Sequence, residues 1–406
     1  MPRLDLSIWI VLATIMINMM GVGMMWPILP TLVEELTTGD ISNTAAVYGA
    51  TAVVFSLMQF VFAPFMGALS DKYGRRKVML ISLLGLGFDT LLLAFAPSIL
   101  WVFIGRALGG VFGATYSIAS AYVADTMKNE DRAAGFGMIG AAFGIGFIIG
   151  PLVGGFFGAI DTRMPFYFAA ALSFLNFTAG YFLLRETLPP EKRTSASLKQ
   201  ANPFGTLSFM MQNKTLVLIG VTLLLVNAAQ RGMETIWVIF TQHQYNWGIQ
   251  EAGISLAIVG ISYFVVQGFL VRPTVAALGE AKTAFFGLLL CSAMFFLLSF
   301  NTIPLIAYLG IPLYALGAGC SAPALQAIAS SFVEPERQGH LQGALTSVGG
   351  LAAIAGPALS AASFSYFTSA GAPVDFPGAY FLLGAFVFIG TSMLAVAIGR
   401  SGKESQ

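Results

Sequence analysis

The sequence predicts an all-α integral membrane protein: twelve transmembrane helices arranged as two pseudo-symmetric six-helix bundles. Composition, the alternation of apolar spans with charged connections, and an internal repeat carry that expectation. Hydrophobic residues fill 57% of the 406 positions and charged residues 10%, where a soluble domain carries about 25% charged. At a mean hydropathy of +0.80, the chain has more apolar surface than a water-soluble core can hide. A net charge of +1 argues against a nucleic-acid partner.

Apolar stretches long enough to cross a bilayer run at about residues 7–34, 45–69, 78–96, 98–126, 133–159, 164–185, 214–240, 251–272, 282–300, 303–332, 340–368 and 376–399. The first runs past Pro30 without a small-residue cleavage site, so it reads as a first span and not as a cleavable signal. Basic residues cluster on alternate connections: Arg3, Lys72 to Lys77, Lys128, Arg132, Arg185, Lys192, Arg193, Lys199, Lys214, Lys282, Arg337, Arg400 and Lys403. The opposite connections, around Gly39, Pro97, Asp161, Tyr245, Asn301 and Ala372, hold Arg163 alone. The excess of positive charge places both termini and the central loop in the cytoplasm. An even number of spans follows.

One long polar connection, rich in Pro, Lys, Ser and Thr, divides the chain. The expected organisation is an N-terminal bundle over 1–185, a cytoplasmic linker over 186–213 and a C-terminal bundle over 214–406. The halves read as repeats. Thr126-Met-Lys-Asn-Glu130-Asp131-Arg132 after the fourth span corresponds to Ser331-Phe-Val-Glu334-Pro-Glu336-Arg337 after the tenth. Gly150-Pro151 in the fifth corresponds to Gly356-Pro357 in the eleventh. Between the eighth and ninth, Leu278-Gly279-Glu280-Ala281-Lys282 is a worn copy of the loop between the second and third.

Four ionisable residues lie well inside spans: Asp89 in the third, Arg106 in the fourth, Arg231 and Glu234 in the seventh. Each costs at least about 2.5 kcal/mol at a helix centre, so each should face a cavity or a partner. A lone carboxylate such as Asp89 can exchange a proton as substrate binds and leaves. Arg231 and Glu234, three apart, could neutralise each other as a buried pair or could touch substrate. Arg106 could equally be a structural arginine bonded to backbone carbonyls.

Gly146-Phe-Ile-Ile-Gly150-Pro151-Leu-Val-Gly154-Gly155 places glycines four apart, which lets a neighbouring helix backbone approach closely. Ordinary glycine packing is the competing reading in a chain with 45 glycines. Gly135-Phe-Gly137-Met-Ile-Gly140 matches the dinucleotide fingerprint in letters only, because no strand precedes it. Cys291 and Cys320 fall inside spans and read as buried free thiols, with no metal site or disulfide expected. His243 and His340 lie at opposite faces of the membrane and no P-loop lysine motif occurs, so an enzyme is not expected.

The run Gly67-Ala-Leu-Ser-Asp71-Lys72-Tyr-Gly74-Arg75-Arg76-Lys77 resembles the signature loop of the major facilitator superfamily. The resemblance extends over essentially the whole chain to the tetracycline–proton antiporters. It rests on Met20-Gly21-Val-Gly23 through Pro27-Ile-Leu-Pro30, Leu57-Met-Gln59-Phe, Ala63-Pro64, Asp89, Ile104-Gly105-Arg106, Trp237-Val-Ile-Phe240-Thr241 and Gly253-Ile-Ser-Leu256. It implies that Gln59 and Asp89 belong to the drug and proton pathway, and that Arg106 in Arg106-Ala-Leu-Gly109-Gly110 serves proton transfer. Gly146, Gly150, Pro151, Gly154 and Gly155 resemble the antiporter motif. The signature loop is then a cytoplasmic latch formed by Gly67, Asp71, Gly74, Arg75, Arg76 and Asp125. In it Asp71 would face the N-terminus of the eleventh helix, near Gln338, and Arg75 would pair with Asp125.

Three positions depart from the drug pumps. Asn18 and Cys291 stand where the family has aspartates, and Tyr263 where it has a histidine. Negative charge in the pocket is reduced, which weighs against a metal–tetracycline chelate as substrate and leaves Glu234 as a coupling carboxylate. The expected function is a proton-coupled antiporter that exports a lipophilic or amphipathic compound, with a symporter or facilitator importing a small, anionic metabolite as the alternative. Proton-coupling residues are expected at Asp89, Arg106 and Glu234, and substrate-binding residues at Asn18, Gln59, Asp89, Arg231, Glu234 and Tyr263. The proton gradient is the energy source and no cofactor is expected. The partners are a small molecule, protons and the bilayer of a bacterial inner membrane, with the chain acting as a monomer.

Overall fold

The computed structural model describes residues 6–37, 40–128, 131–193, 207–211, 213–334 and 337–404, and among them no strand occurs. Half of the linker expected over 186–213 lies outside the described residues, as do Arg3, Glu130, Lys199 and Glu336.

Twelve helices are long and apolar enough to cross a membrane. They are α1 (Leu6–Met25), α2 (Ile41–Tyr73), α3 (Arg75–Ala94), α4 (Ile99–Thr126), α5 (Arg132–Gly158) and α6 (Met164–Leu183). The second set is α7 (Lys214–Tyr245), α8 (Ile249–Leu278), α9 (Glu280–Phe300), α10 (Pro304–Ser331), α11 (Gln338–Thr368) and α12 (Ala379–Glu404). Large apolar side chains such as Leu175, Phe182, Phe269 and Phe386 are exposed, as lipid-facing helices require.

The first span is not continuous. α1 stops before a turn at Trp26–Ile28, and a short helix, Leu29–Leu36, follows. Pro27 and Pro30 have no N–H to donate and restrict the residue before each of them. α4 steps between Phe112 and Thr115, at Gly113-Ala114. α8 contains a π turn over Val266–Leu270. Pro273 lies just beyond it and cannot bond back to Phe269, so the helix widens locally to re-satisfy its carbonyls.

The chain forms two compact units. One gathers Met1–Thr38, Val54–Asn202 and Gly248–Ala257; the other gathers Gly39–Val53, Pro203–Trp247 and Ile258–Gln406. In the first, α1 packs on α5 and α6, and α3 on α4 and α6. In the second, α7 packs on α11 and α12, and α9 on α10 and α12. Adding six to each number of the first set gives the second. The repeat read from short sequence matches is therefore a repeat of helix pairings.

Candidate functional site

In the first unit, of the sequence-predicted residues, Asp89 and Arg106 come together. α3 carries Asp89 inward, 1% exposed, against α4. A Cβ at Gly105 would stand 3.1 Å from Asp89 Oδ1, and one at Gly109 would run into Oδ2. Glycine at both positions is what admits the carboxylate. Oδ1 has no hydrogen-bond partner, so the acid is held by fit on that side and is open to a proton or a donor.

Arg106 sits between these glycines on α4 and is 9% exposed. Its guanidinium lies over the Phe55 ring, 4.1 Å from the centroid, and its charge acts on Asp89 electrostatically. Cation–π contact of a desolvated arginine contributes about 2 kcal/mol. Gln59 turns its amide toward the Gly113 carbonyl at 3.5 Å, the outer limit of a hydrogen bond, at the step where α4 loses its regular ladder. Asn18 is half-buried on α1. Among the described residues it makes no hydrogen bond to this group.

In the second unit, Arg231 Nη1 bonds Glu234 Oε2 at 3.1 Å. Gln230 Nε2 donates to Glu234 Oε1 at 3.1 Å and to the Tyr263 hydroxyl at 3.3 Å. The structure thus joins Arg231, Glu234 and Tyr263 through a residue that sequence reasoning passed over. One expectation needs correction. The Arg231 side chain is 56% exposed and that of Glu234 21%, so this is not a buried pair. The ladder of α7 turns Arg231 outward at the position where Gly232 faces inward, against the Tyr380 hydroxyl and the Gly356 carbonyl.

Around Glu234 stand further polar side chains from other helices. Cys291 on α9 is fully buried. Tyr314 on α10 is 5% exposed and its hydroxyl has no partner. Tyr380 on α12 donates to the carbonyls of Ala228 and Ala229 at 2.9 and 3.2 Å. Uncharged polar residues are common in these spans, and only folding shows which ones converge.

The signature loop is organised by Arg75, whose side chain is 11% exposed. Its guanidinium bonds Asp71 Oδ1 at 2.6 Å, Ser70 Oγ at 2.6 Å and Asp125 Oδ2 at 3.0 Å. The Arg75–Asp125 pair expected from the resemblance is present. Asp71 is 43% exposed. Glu186, just past α6, accepts from the Arg75 N–H at 2.8 Å and from Thr187 N–H at 3.1 Å. It thereby places negative charge at the N-terminus of α3, where the helix dipole favours it. Arg76 donates to the Tyr181 carbonyl at 2.5 Å. Gly67 has open space where a Cβ would be.

The glycine motif of α5 forms a seam. Cβ atoms at Gly146, Gly150 and Gly154 would strike the carbonyl oxygens of Met16, Met20 and Met24 on α1. Both series advance by four, so they stay in register along one face. Gly155, on another face, lies against Ile249 and Gly253 of α8, and the Pro151 carbonyl points at Gly253. The second unit repeats the contact, with Gly356 on α11 against the Ala228 carbonyl and Gly232. Cys291 and Cys320 are free and buried.

Twelve spans in two copies of one pairing scheme, each with ionisable groups in mid-span, define a polytopic membrane carrier. The chain belongs to the Major Facilitator Superfamily, whose pattern matches residues 11–357 and 223–406. It is similar to the class C tetracycline resistance protein of Escherichia coli, 35% identical over 357 residues that cover 88% of this chain and 89% of that one. The class G tetracycline resistance protein of Vibrio anguillarum is 36% identical over 94% of each chain. Among solved structures, the human organic anion transporter MFSD10 (TETRAN) has a TM-score of 0.71 at 24% identity, covering 97% of this chain and 100% of that one. The nucleoside transporter NupG has a TM-score of 0.79 at 16% identity, covering 98% and 100%. These two likenesses speak to fold alone. The chain is a multi-pass membrane transporter of small molecules, and not an enzyme.

Proposed function

We propose that the chain is a proton-coupled antiporter that exports a lipophilic or amphipathic compound across a bacterial inner membrane. The observation that carries this is Asp89: a fully buried carboxylate with one oxygen unpartnered, beside a buried arginine. Such a group has little structural worth as an anion and is suited to taking and giving a proton. The resemblance to resistance proteins supports export. A metal–tetracycline chelate is not the favoured cargo, because Asn18, Tyr263 and Cys291 put no negative charge where the drug pumps carry ionisable side chains. The chain works as a monomer with both termini in the cytoplasm, and the Asp71–Arg75–Asp125 group latches the cytoplasmic side.

Purified protein in liposomes with an imposed pH gradient tests the reading, with tetracycline and ethidium as probes on either side of the membrane. Proton-driven movement opposite to the proton flux is the expected result for ethidium. Movement in the same direction as protons overturns antiport. One observation favours a second reading: Arg231 is half-exposed and spends one of its donors on Glu234, leaving the rest for an anion. Uptake of a carboxylate-bearing metabolite down the proton gradient would establish that alternative.

A further inference from the structure

Between α7, α9, α10 and α12 lies a cavity of about 30 Å³. Its polar lining comes from Asn227 and Gln230 on α7, Cys291 on α9, and Tyr314, Ser321 and Gln326 on α10. Asn227 spends its amide N–H on the Leu223 carbonyl at 2.7 Å, and Ser321 its hydroxyl on the Ala318 carbonyl at 3.3 Å. Both therefore keep acceptor oxygens for the cavity. The Tyr314 hydroxyl, on a residue 5% exposed, has no partner in the protein.

A buried hydroxyl that lacks a protein partner is normally satisfied by water. A polar space needs roughly 10–15 Å³ to take one water with two to four partners. This cavity has room for one or two, and its lining supplies the partners. At one end Gln326 is exposed. At the other, Gln230 bonds the Glu234 carboxylate at 3.1 Å, so the cavity lies one hydrogen bond away from the acid.

We propose that this cavity is a hydration site that delivers protons to Glu234 and carries them away, with Tyr314 and Gln230 positioning its water. The inference rests on the reading of Glu234 as a coupling carboxylate. The Gln230 amide between the cavity and the acid keeps its own protons, so in the step itself it turns aside and a protonated cavity water reaches Glu234: an O–H bond breaks on that water and an O–H bond forms on a Glu234 carboxylate oxygen; release runs in reverse. The proton enters from the gradient and no other reactant is consumed. Gln230 and Gln326 carry no charge and hold water in place. Tyr314 is a positioning residue, since its hydroxyl orders the water without touching the acid.

The titratable groups around Glu234 are Arg231 on its own helix, Tyr263 on α8, Cys291 on α9, Tyr314 on α10 and Tyr380 on α12. α11 also packs on α7, and its titratable residues are His340 and Tyr366, toward its two ends. Any change in proton affinity on altering the cavity must be separated from loss of one of these groups.

Two variants probe the cavity from different walls, and only the second leaves every one of these groups in place. Tyr314→Phe removes only the hydroxyl, and Ala318→Val fills the space while leaving every titratable group in place. The readout is infrared difference spectroscopy of the purified protein in liposomes between pH 8 and pH 5, with no substrate required. The carboxyl band missing from Glu234→Gln belongs to Glu234. In each cavity variant the midpoint of that band should move by about half a pH unit or more, a threefold change in proton affinity, with the unfolding temperature held. A Glu234 band that is present and unmoved in Tyr314→Phe overturns the hydration site alone. A spectrum in which Glu234→Gln removes no band overturns the coupling role of Glu234 and the cavity's role with it.

Discussion

Gly74 and Gly279 hold the same backbone conformation, at φ +101°, ψ +149° and φ +77°, ψ +163°. They occupy the turns from α2 to α3 and from α8 to α9. This region of dihedral space is open essentially to glycine alone. The letters around the second turn have drifted, and the geometry has not.

The two glycines should therefore respond differently to alanine. Both substitutions incur strain of about 1–3 kcal/mol. At Gly279 nothing lies within 4 Å of the new Cβ, whereas at Gly74 it meets the Glu186 carboxylate. Glu186 would swing away and release the Arg75 N–H, a further loss of about 1 kcal/mol. Thermal unfolding in detergent should show the larger drop for Gly74→Ala. Equal drops would mean that the Glu186 cap contributes nothing.

Asp89→Asn should abolish proton-driven transport while leaving abundance and unfolding temperature near wild type. Asparagine keeps the size of the side chain over Gly105 and Gly109 but cannot gain and lose a proton. Transport against a gradient at the normal rate in this variant would make Asp89 structural.

On α5, Gly150→Ala should destabilise by about 1–3 kcal/mol, because its Cβ would stand 2.6 Å from the Met20 carbonyl and backbone cannot step aside. Gly144→Ala on the same helix meets nothing within 4 Å. It should stabilise by about 0.5–1 kcal/mol. The pair of melting curves separates close packing from mere helix propensity.

Arg231 and Glu234 should be dispensable for folding. With the arginine 56% exposed, the pair is worth at most about 1 kcal/mol. Arg231→Gln, Glu234→Gln and the double variant should all accumulate normally, and both variants lacking Glu234 should fail in coupled transport. A double variant with wild-type proton-coupled flux would return the pair to structure.

Asp71→Asn removes one of the two carboxylates on Arg75 and should loosen the proposed latch on its side of the membrane. A single cysteine engineered on that side should then react faster with a hydrophilic maleimide. Cys291 and Cys320 are 0% and 3% exposed and should stay silent. Unchanged labelling would count against the latch.

The fold was legible because a membrane span is a long, local, one-dimensional signal, and twelve of them cannot be mistaken. Asp89, Arg106, Arg231 and Glu234 were legible because charge in such spans is rare. The breaks at Pro27 and at Gly113-Ala114 were hidden inside continuous hydropathy. Gln230, Tyr314 and Tyr380 were missed because their significance lies in convergence from α7, α10 and α12, which no spacing along the chain encodes. Glu186 was missed for the opposite reason: it reads as one more charge in a polar linker, and its partner is a backbone N–H more than a hundred positions earlier.

The seam between α1 and α5 has a consequence for how cargo is chosen. Where three carbonyls meet three glycines there are no rotamers to rearrange, so α5 sets the height and rotation of α1 like a strut. Asn18 lies on α1 between Met16 and Met20, two of the carbonyls in that seam. Its place is thus dictated from α5, by residues that need never contact what is carried. Variants that broaden or narrow the range of transported compounds should accordingly arise on α5 as readily as beside Asn18.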